Sequence, residues 1–380
     1  MGEPLKQSNR YELLDILKGL LIILVVLGHT NTPFTKWIYS FHMAAFFAIS
    51  GFLWNEKYVT CKSYLLKFIK SRIIRLYIPF VLVNIIFVLL NNIFIKIHFY
   101  TVDASFLKAT LNWPIKQTGS VFTTRYMIIE CIKSFFLKSG AAPIVNTCWF
   151  LATLFIISIS HCMIRLVIRH QGAKIKEFSL IISIFICLLI TYLININLIN
   201  MAGGIKRIFP AYAAFLIGSL LKEYLPYFKI SNQKYMNYFQ CIVALMGILM
   251  VLSNTRMVEL SKGYIVNPGY FILGLLQGII ILLYLSIFIM KTNKYAWIKY
   301  LGVNSMSIML FHVLSFKIVN LFLIIIYKKD KVYLASRHVI YDLPKMWSLL
   351  YLLFGISLPV CIDLFWDRYK TKIQKNHFLK

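Results

Sequence analysis

The sequence predicts an all-α integral membrane protein of about ten transmembrane helices with both termini on the cytoplasmic side. Three observations carry this. Of 380 residues, 59% are hydrophobic and 14% are charged, with a mean hydropathy of +0.74, whereas a soluble domain averages about 25% charged. Apolar runs long enough to cross a hydrocarbon core recur along the whole chain. Basic residues gather in short connections that alternate with poorly charged ones. No polar stretch is long enough for a separate globular domain, so residues 1–380 read as one membrane-embedded unit.

Taken in order, the candidate spans run over roughly 12–31, 37–54, 77–97, 148–168, 178–199, 205–222, 238–254, 268–290, 303–327 and 346–366. The sixth and seventh are short. The first does not read as a cleavable signal peptide, because it lacks a small-residue cleavage site and continues into a membrane hairpin. The first connection, 32–36, holds only Lys36. The second, 55–76, holds Lys57, Lys62, Lys67, Lys70, Arg72 and Arg75 against the single acid Glu56, and 165–176 adds Arg165, Arg169, Lys174 and Lys176. Positive residues inside therefore place both termini in the cytoplasm. Segments 99–147 and 328–345, outside in this topology, also carry lysines and weaken the bias without reversing it. An amphipathic-looking stretch within the former, 121–137, is read as lying on the outer surface.

The net charge of +28 raises nucleic acid as a partner, but basic residues spread over short loops fit orientation and anionic lipid headgroups instead. Most of the seven cysteines sit in apolar runs (Cys148, Cys162, Cys187, Cys241, Cys361). No CxxC or metal-ligand spacing appears, so they read as small buried hydrophobes. No internal repeat is evident.

The stretch "KGLLIILVVLGH", residues 18–29, is the first sign of chemistry. Eleven helical positions amount to about three turns, so Lys18 and His29 project from one face, about 16 Å apart along the axis. Asp15 shares that face. Each has an ordinary explanation: a membrane histidine can bond a neighbouring helix, and a lysine can snorkel or pair with Asp15. Ionisable groups inside a membrane are costly, however, and mark sites or pathways. In this topology His29, His42, Trp149, Lys206 and Arg207 all fall near the outer ends of their spans. A neutral imidazole in a partly dry site suits acyl transfer, as a proton acceptor or as a nucleophile.

The fragment "LLDILKGLLIILVVLGH" resembles the family-3 membrane acyltransferases, whose first helix carries Arg or Lys, ten residues, then His. "FHMAAFFAISGFLW" is similar to the second block of the branch related to fucose 4-O-acetylase, with Ala44 where that branch has proline. "RIIRLYIPF", "CWFLATLF", "RIFPAYAAFLIGSLL" and "LGVNSMSIMLFH" resemble later blocks in the right order. The likeness covers about residues 10–315 and is strongest in the first eighty. Lysine at position 18 gives up the bidentate recognition that the commoner arginine offers.

Carried over by position, the resemblance implies that His29 is the catalytic histidine, with Lys18 as its motif partner. Asp15 offsets the charge of Lys18, and His42 orients the acceptor or tunes the imidazole. Arg72 and Arg75 match the pair expected at the acyl-CoA entrance, whereas "RIIR" alone marks only a membrane boundary. Trp149, Arg207 and His312 match later blocks as acceptor-binding or supporting residues. Ser50 and Gly51 read as permitting close helix contact. The implied activity is O-acyltransfer at the plasma (inner) membrane. An acyl group, acetyl by expectation, passes from cytosolic acyl-CoA to a hydroxyl of an exported glycan or lipid-linked sugar. Acetyl-CoA is then the donor substrate, and no bound cofactor or metal is expected. The reading from a different class is a transporter or flippase of a lipid-linked sugar that uses the same polar seam as its pathway.

Overall fold

The computed structural model describes residues 7–102, 120–138, 142–224, 245, 258–265, 267–292 and 294–378. Helices α1 (Gln7–Gly28) and α2 (Thr35–Phe52) form the expected hairpin. The amides of His29 and Thr30 bond back three residues to Val26 and Leu27, which tightens the last turn of α1. Asn31 then adopts φ 59°, the left-handed region that asparagine tolerates better than most residues. His29 therefore sits one residue beyond α1, in the turn.

The third span differs from its expected bounds of 77–97. A helix runs from Lys62 to Leu89: α3 (Lys62–Arg72), a wide π turn (Ile73–Tyr77), and α4 (Ile78–Leu89). It begins about four turns early, so Arg72, just before the wide turn, and Arg75, within it, fall in mid-helix instead of opening the span. Pro79 follows directly, and its missing amide hydrogen removes one donor from the ordinary ladder. After α5 (Asn91–Lys96), the amphipathic stretch forms α6 (Thr124–Phe135), capped by Thr123. It does not lie across the outer end of the bundle. Asn92 bonds both the amide and the carbonyl of Phe122 at 2.8 Å, and the Tyr77 hydroxyl donates to the carbonyl of Phe135 at 2.9 Å. Helix α6 thus runs alongside α4, with Ile128, Ile132 and Phe135 exposed.

The remaining helices are α7 (Trp149–Val167), α8 (Ala173–Asn195), the single turn α9 (Gly203–Lys206), α10 (Ile208–Tyr224), α11 (Pro268–Lys291), α12 (Ala296–Val303), α13 (Ser305–Ile326) and α14 (Ser348–Phe378). A two-stranded antiparallel hairpin, β1 (Val258–Glu259) and β2 (Tyr264–Ile265), pairs Val258 with Ile265. Seven of the described helices are long and apolar enough to cross a membrane. Helices α1 and α2, richer in charged and polar residues, occupy the first two expected spans. The seventh expected span, 238–254, apart from residue 245, and Cys241 lie outside the described residues.

Apolar helices in lipid associate through close packing, which small residues permit. Two crossings show it. A Cβ on Gly51 would collide with the carbonyl of Phe215, and one on Gly218 with the carbonyl of Ala48, so α2 and α10 touch backbone to backbone. A Cβ on Gly302 would likewise meet the carbonyl of Asp15, where α12 crosses α1. Aromatic side chains Phe41, Phe47, Phe80, Phe215, Phe271 and Phe316 fill the interior. Cys148, Cys162 and Cys187 are buried as expected, whereas Cys61 and Cys361 are exposed. Cys361 lies on α14, where a membrane span has a lipid-facing side as well as a packed one.

Candidate functional site

One end of the bundle holds a cavity of about 700 Å³. Its walls come from the end of α1 (Val25, Gly28, His29), the first half of α2 (Tyr39, His42), the start of α7 (Trp149), Arg207 between α9 and α10, the hairpin loop 259–262, α13 (Met309, His312) and the connection before α14 (Arg337, His338, Tyr341). Four of the five residues expected near the outer ends of their spans, His29, His42, Trp149 and Arg207, are brought together here, and His312, singled out only by the family resemblance, joins them. Lys206 is not among the lining residues.

His29 stands at the centre of the polar groups. Its Nδ1 lies 3.0 Å from the Tyr39 hydroxyl. Its ring stacks on that of His312 at 5.3 Å between centroids and 19° between planes, and the ring of His338 lies 4.3 Å away. His42 reaches the same group through Tyr39, whose ring is 5.0 Å from its own. Two neighbours have fixed tautomers. His42 Nδ1 donates to the carbonyl of Ile38 at 2.6 Å, and His312 Nδ1 donates to the carbonyl of Ile308 at 2.9 Å. A carbonyl only accepts, so the hydrogen is on Nδ1 and the lone pair of each neutral ring is on Nε2. The partner of His29 is a hydroxyl, which can donate or accept. With Nδ1–H donating to Tyr39, Nε2 of His29 is left as a proton acceptor. In its neutral form each of these rings keeps one nitrogen lone pair that can accept a proton or a hydrogen bond. On the opposite wall, the Arg207 guanidinium sits 5.5 Å from the Trp149 ring, and its buried Nε has no hydrogen-bond partner.

His338, Arg337 and Tyr39 were not singled out from the sequence. His338 arrives on an irregular segment, where no periodicity reports direction, and long-range bonds position it. Lys317, a fully buried lysine on α13, donates to the carbonyls of Leu334 and Ser336 at 2.8 Å each and of Phe99 at 3.1 Å. Asn320, one turn on, donates to the carbonyl of His338 at 3.3 Å and accepts from the Tyr351 hydroxyl at 2.5 Å. Burial, with His29, Arg337, His312 and Lys317 nearby, holds the His338 imidazole well below the usual histidine range. The only advance signal was a lone lysine in the apolar run "LSFKIVN".

The other expected site residues lie elsewhere. Lys18 and Asp15 form an ion pair of 2.7 Å, each about one quarter exposed, beside the α1–α12 crossing. Neither lines the cavity. Arg72 is half-buried, its guanidinium 4.9 Å from the Phe68 ring, and Arg75 is exposed, as are Lys67 and Lys70. Near that end of α2 is a second polar group that the sequence did not announce. Buried Arg165 pairs with Glu56 at 2.9 Å, Trp54 Nε1 donates to the same carboxylate at 2.9 Å, and Lys222 donates to the Trp54 carbonyl. His161 Nδ1 lies 3.0 Å from the Tyr212 hydroxyl, with its ring edge-on to Trp54. Among the described residues, no group of three or more His, Cys, Asp or Glu side chains is arranged to hold a metal ion.

Comparison with known proteins agrees with this picture. Residues 11–366 match the family described as "Acyltransferase domain". One curated relative, the nodulation protein NolL of Sinorhizobium fredii (strain NBRC 101917 / NGR234), is 49% identical over a short stretch that covers 12% of this chain and 16% of that protein. No solved structure matches.

Proposed function

The chain belongs to the acyltransferase family that it matches over residues 11–366, and from that premise we propose that it is a plasma-membrane O-acyltransferase that moves an acetyl group from cytosolic acyl-CoA to a hydroxyl of an exported glycan or lipid-linked sugar. The observation that carries the reading is the position of His29: at a cavity wall, with Nδ1 engaged by Tyr39 and two further imidazoles against its ring. Family membership makes acyl transfer the chemistry, and this arrangement supplies a positioned base.

In the proposed step the acceptor hydroxyl lies against Nε2 of His29. The hydroxyl oxygen bonds to the thioester carbonyl carbon as its proton passes to Nε2. The carbon–sulfur bond then breaks, and the thiolate of coenzyme A takes the proton back from the imidazolium. Negative charge that develops on the carbonyl oxygen is offset by a nearby guanidinium, for which Arg207 is the candidate. His42 and His312, with fixed tautomers, offer Nε2 lone pairs to acceptor hydroxyls. The donor enters from the opposite end, where exposed Arg75, half-buried Arg72 and exposed Lys67 and Lys70 form a basic patch suited to its phosphates. Its slender pantetheine arm runs past the Lys18–Asp15 pair, about 16 Å from His29 by helix rise.

The test is transfer of label from radiolabelled acetyl-CoA to glycan in membranes that contain the chain, compared with His29→Ala. Loss of a positioned acid–base group typically costs about 10² to 10⁴ in rate. Transfer should therefore fall to background while the inserted protein persists. Unaltered glycan labelling in His29→Ala would overturn the proposal.

A further inference from the structure

The charge of the cavity walls points to a property of the acceptor. Five cationic side chains line it, Lys36, Arg207, Lys262, Arg337 and Lys345, against one carboxylate, Glu259. Glu259 is already paired with Lys262 at 3.1 Å. These cations come from four separate parts of the chain: α2, the α9–α10 junction, the β-hairpin loop and the connection before α14. Their convergence is a property of the fold and not of one basic segment. It also accounts for basic residues in segment 328–345 that run against the orientation bias read from the sequence. Orientation would not need them to face one hollow.

A concave wall focuses the field of its charges. Of these groups, Arg207 also has a buried Nε without an acceptor, and an unmet charged donor is costly. The imidazoles do not offset the charge, because neutral rings contribute none. A neutral sugar would add no opposite charge to this wall; a phosphate or carboxylate would, and would supply acceptors to Arg207. We propose that the acceptor taken by this cavity is an anionic saccharide, one that bears a phosphate or a carboxylate beside the hydroxyl to be acylated. This deepens the preceding reading and rests on it in assigning the acceptor to this cavity.

The test is binding without donor, read by saturation-transfer NMR on the full chain in phosphatidylcholine nanodiscs. The probes are glucose, glucose 1-phosphate and glucuronate, with inorganic phosphate, which has no carbon-bound proton to observe, read as a competitor of the charged sugars. Glucose 1-phosphate or glucuronate should bind about tenfold more tightly than glucose, the scale of one charge-assisted bond. Added salt should erode that preference. Lys345→Gln should remove most of it while glucose binding is unchanged, and Arg207→Gln should remove most of it as well. Equal affinity for glucose and both charged sugars, or a preference that survives both substitutions, overturns the proposal. So does inorganic phosphate competing as well as the charged sugars bind, because the cavity would then recognise an anion and not a saccharide. Phosphatidylglycerol discs supply the last arm: complete loss of sugar binding there would reassign the cavity to a lipid headgroup. A chain that binds charged sugars but transfers no acyl group defeats the preceding reading alone, and equally efficient transfer to neutral glycans defeats this one alone.

Discussion

Replacing Lys317 by methionine should unfasten the wall that carries His338. The ammonium donates to three backbone carbonyls, those of Leu334, Ser336 and Phe99, at 2.8 to 3.1 Å. A hydrogen bond to a charged group contributes about 1.5–3 kcal/mol, so the gross loss is about 4.5–9 kcal/mol. Release of a buried charge that costs several kcal/mol offsets part of this, and breaking a buried charged contact costs about 3–5 kcal/mol net. Two of the three carbonyls flank Ala335, and Arg337 and His338 follow at once, so the loss falls on that segment and not on the whole bundle. At about 1.4 kcal/mol per tenfold, local opening of residues 334–341 should become at least a hundredfold more frequent. Hydrogen exchange by mass spectrometry reads this directly, with α3 and α4 peptides as the internal control. Acyl transfer should fall in parallel, and Lys317→Arg, which keeps charge and donors, should recover part of both. Unchanged exchange in 334–341 would refute the reasoning.

Stability should fall as pH drops from 7 to 5 in part through His338. Its folded pKa is lowered well below the usual value, so the unfolded chain takes up the proton first, and each pH unit below about 6.5 costs up to about 1.4 kcal/mol. Thermal unfolding of His338→Gln should show a shallower slope over this range; an identical slope would contradict it. Lys18→Arg should keep activity and Lys18→Ala should lose it. Asp15→Ala should lower the inserted yield, because an unpaired lysine at depth costs about 2.5–3.5 kcal/mol; immunoblotting of membranes and transfer assays decide. Arg72 and Arg75 replaced together by alanine should weaken acyl-CoA binding and leave saccharide binding intact, and equal loss of both would point to misfolding instead of a donor site.

Most helices were legible because hydropathy reports directly on a lipid environment. The exception in detail is the third span, whose start at Lys62 is hidden by the polar composition of "KSYLLKFIKSR". Such a stretch reads as a loop, although helix α3 continues straight into an apolar one. For the site, His29, His42, Trp149 and Arg207 were visible because topology puts each in the outer part of its span, whereas His312 was visible only through the family resemblance. His338 was not. Its location depends on Lys317 and Asn320 holding backbone carbonyls, and backbone acceptors leave no trace in side-chain identity. Tyr39 was overlooked as one aromatic residue among many in "WIYSFHMAAFF", since nothing in a pattern separates a packed tyrosine from one whose hydroxyl meets His29. The Trp54, Glu56, Arg165 and His161 cluster was hidden for a different reason: Glu56 and Arg165 each looked like a boundary charge, and only their pairing across the fold reveals a buried group.

The wide turn at Ile73–Tyr77 acts as an angular setting between two halves of one rod. It takes in one residue more than an ordinary turn, and one residue is worth about 100° of rotation for about 1.5 Å of length. Helix α4 is held in azimuth by its contacts in the bundle, so this offset decides which way α3 presents Phe68, Arg72 and the lysines around them. Deleting a single residue between 73 and 77 would hardly change the reach of the span. It would swing the basic face by more than a quarter of a revolution and carry Phe68 away from Trp54 and Tyr58, against which it now packs.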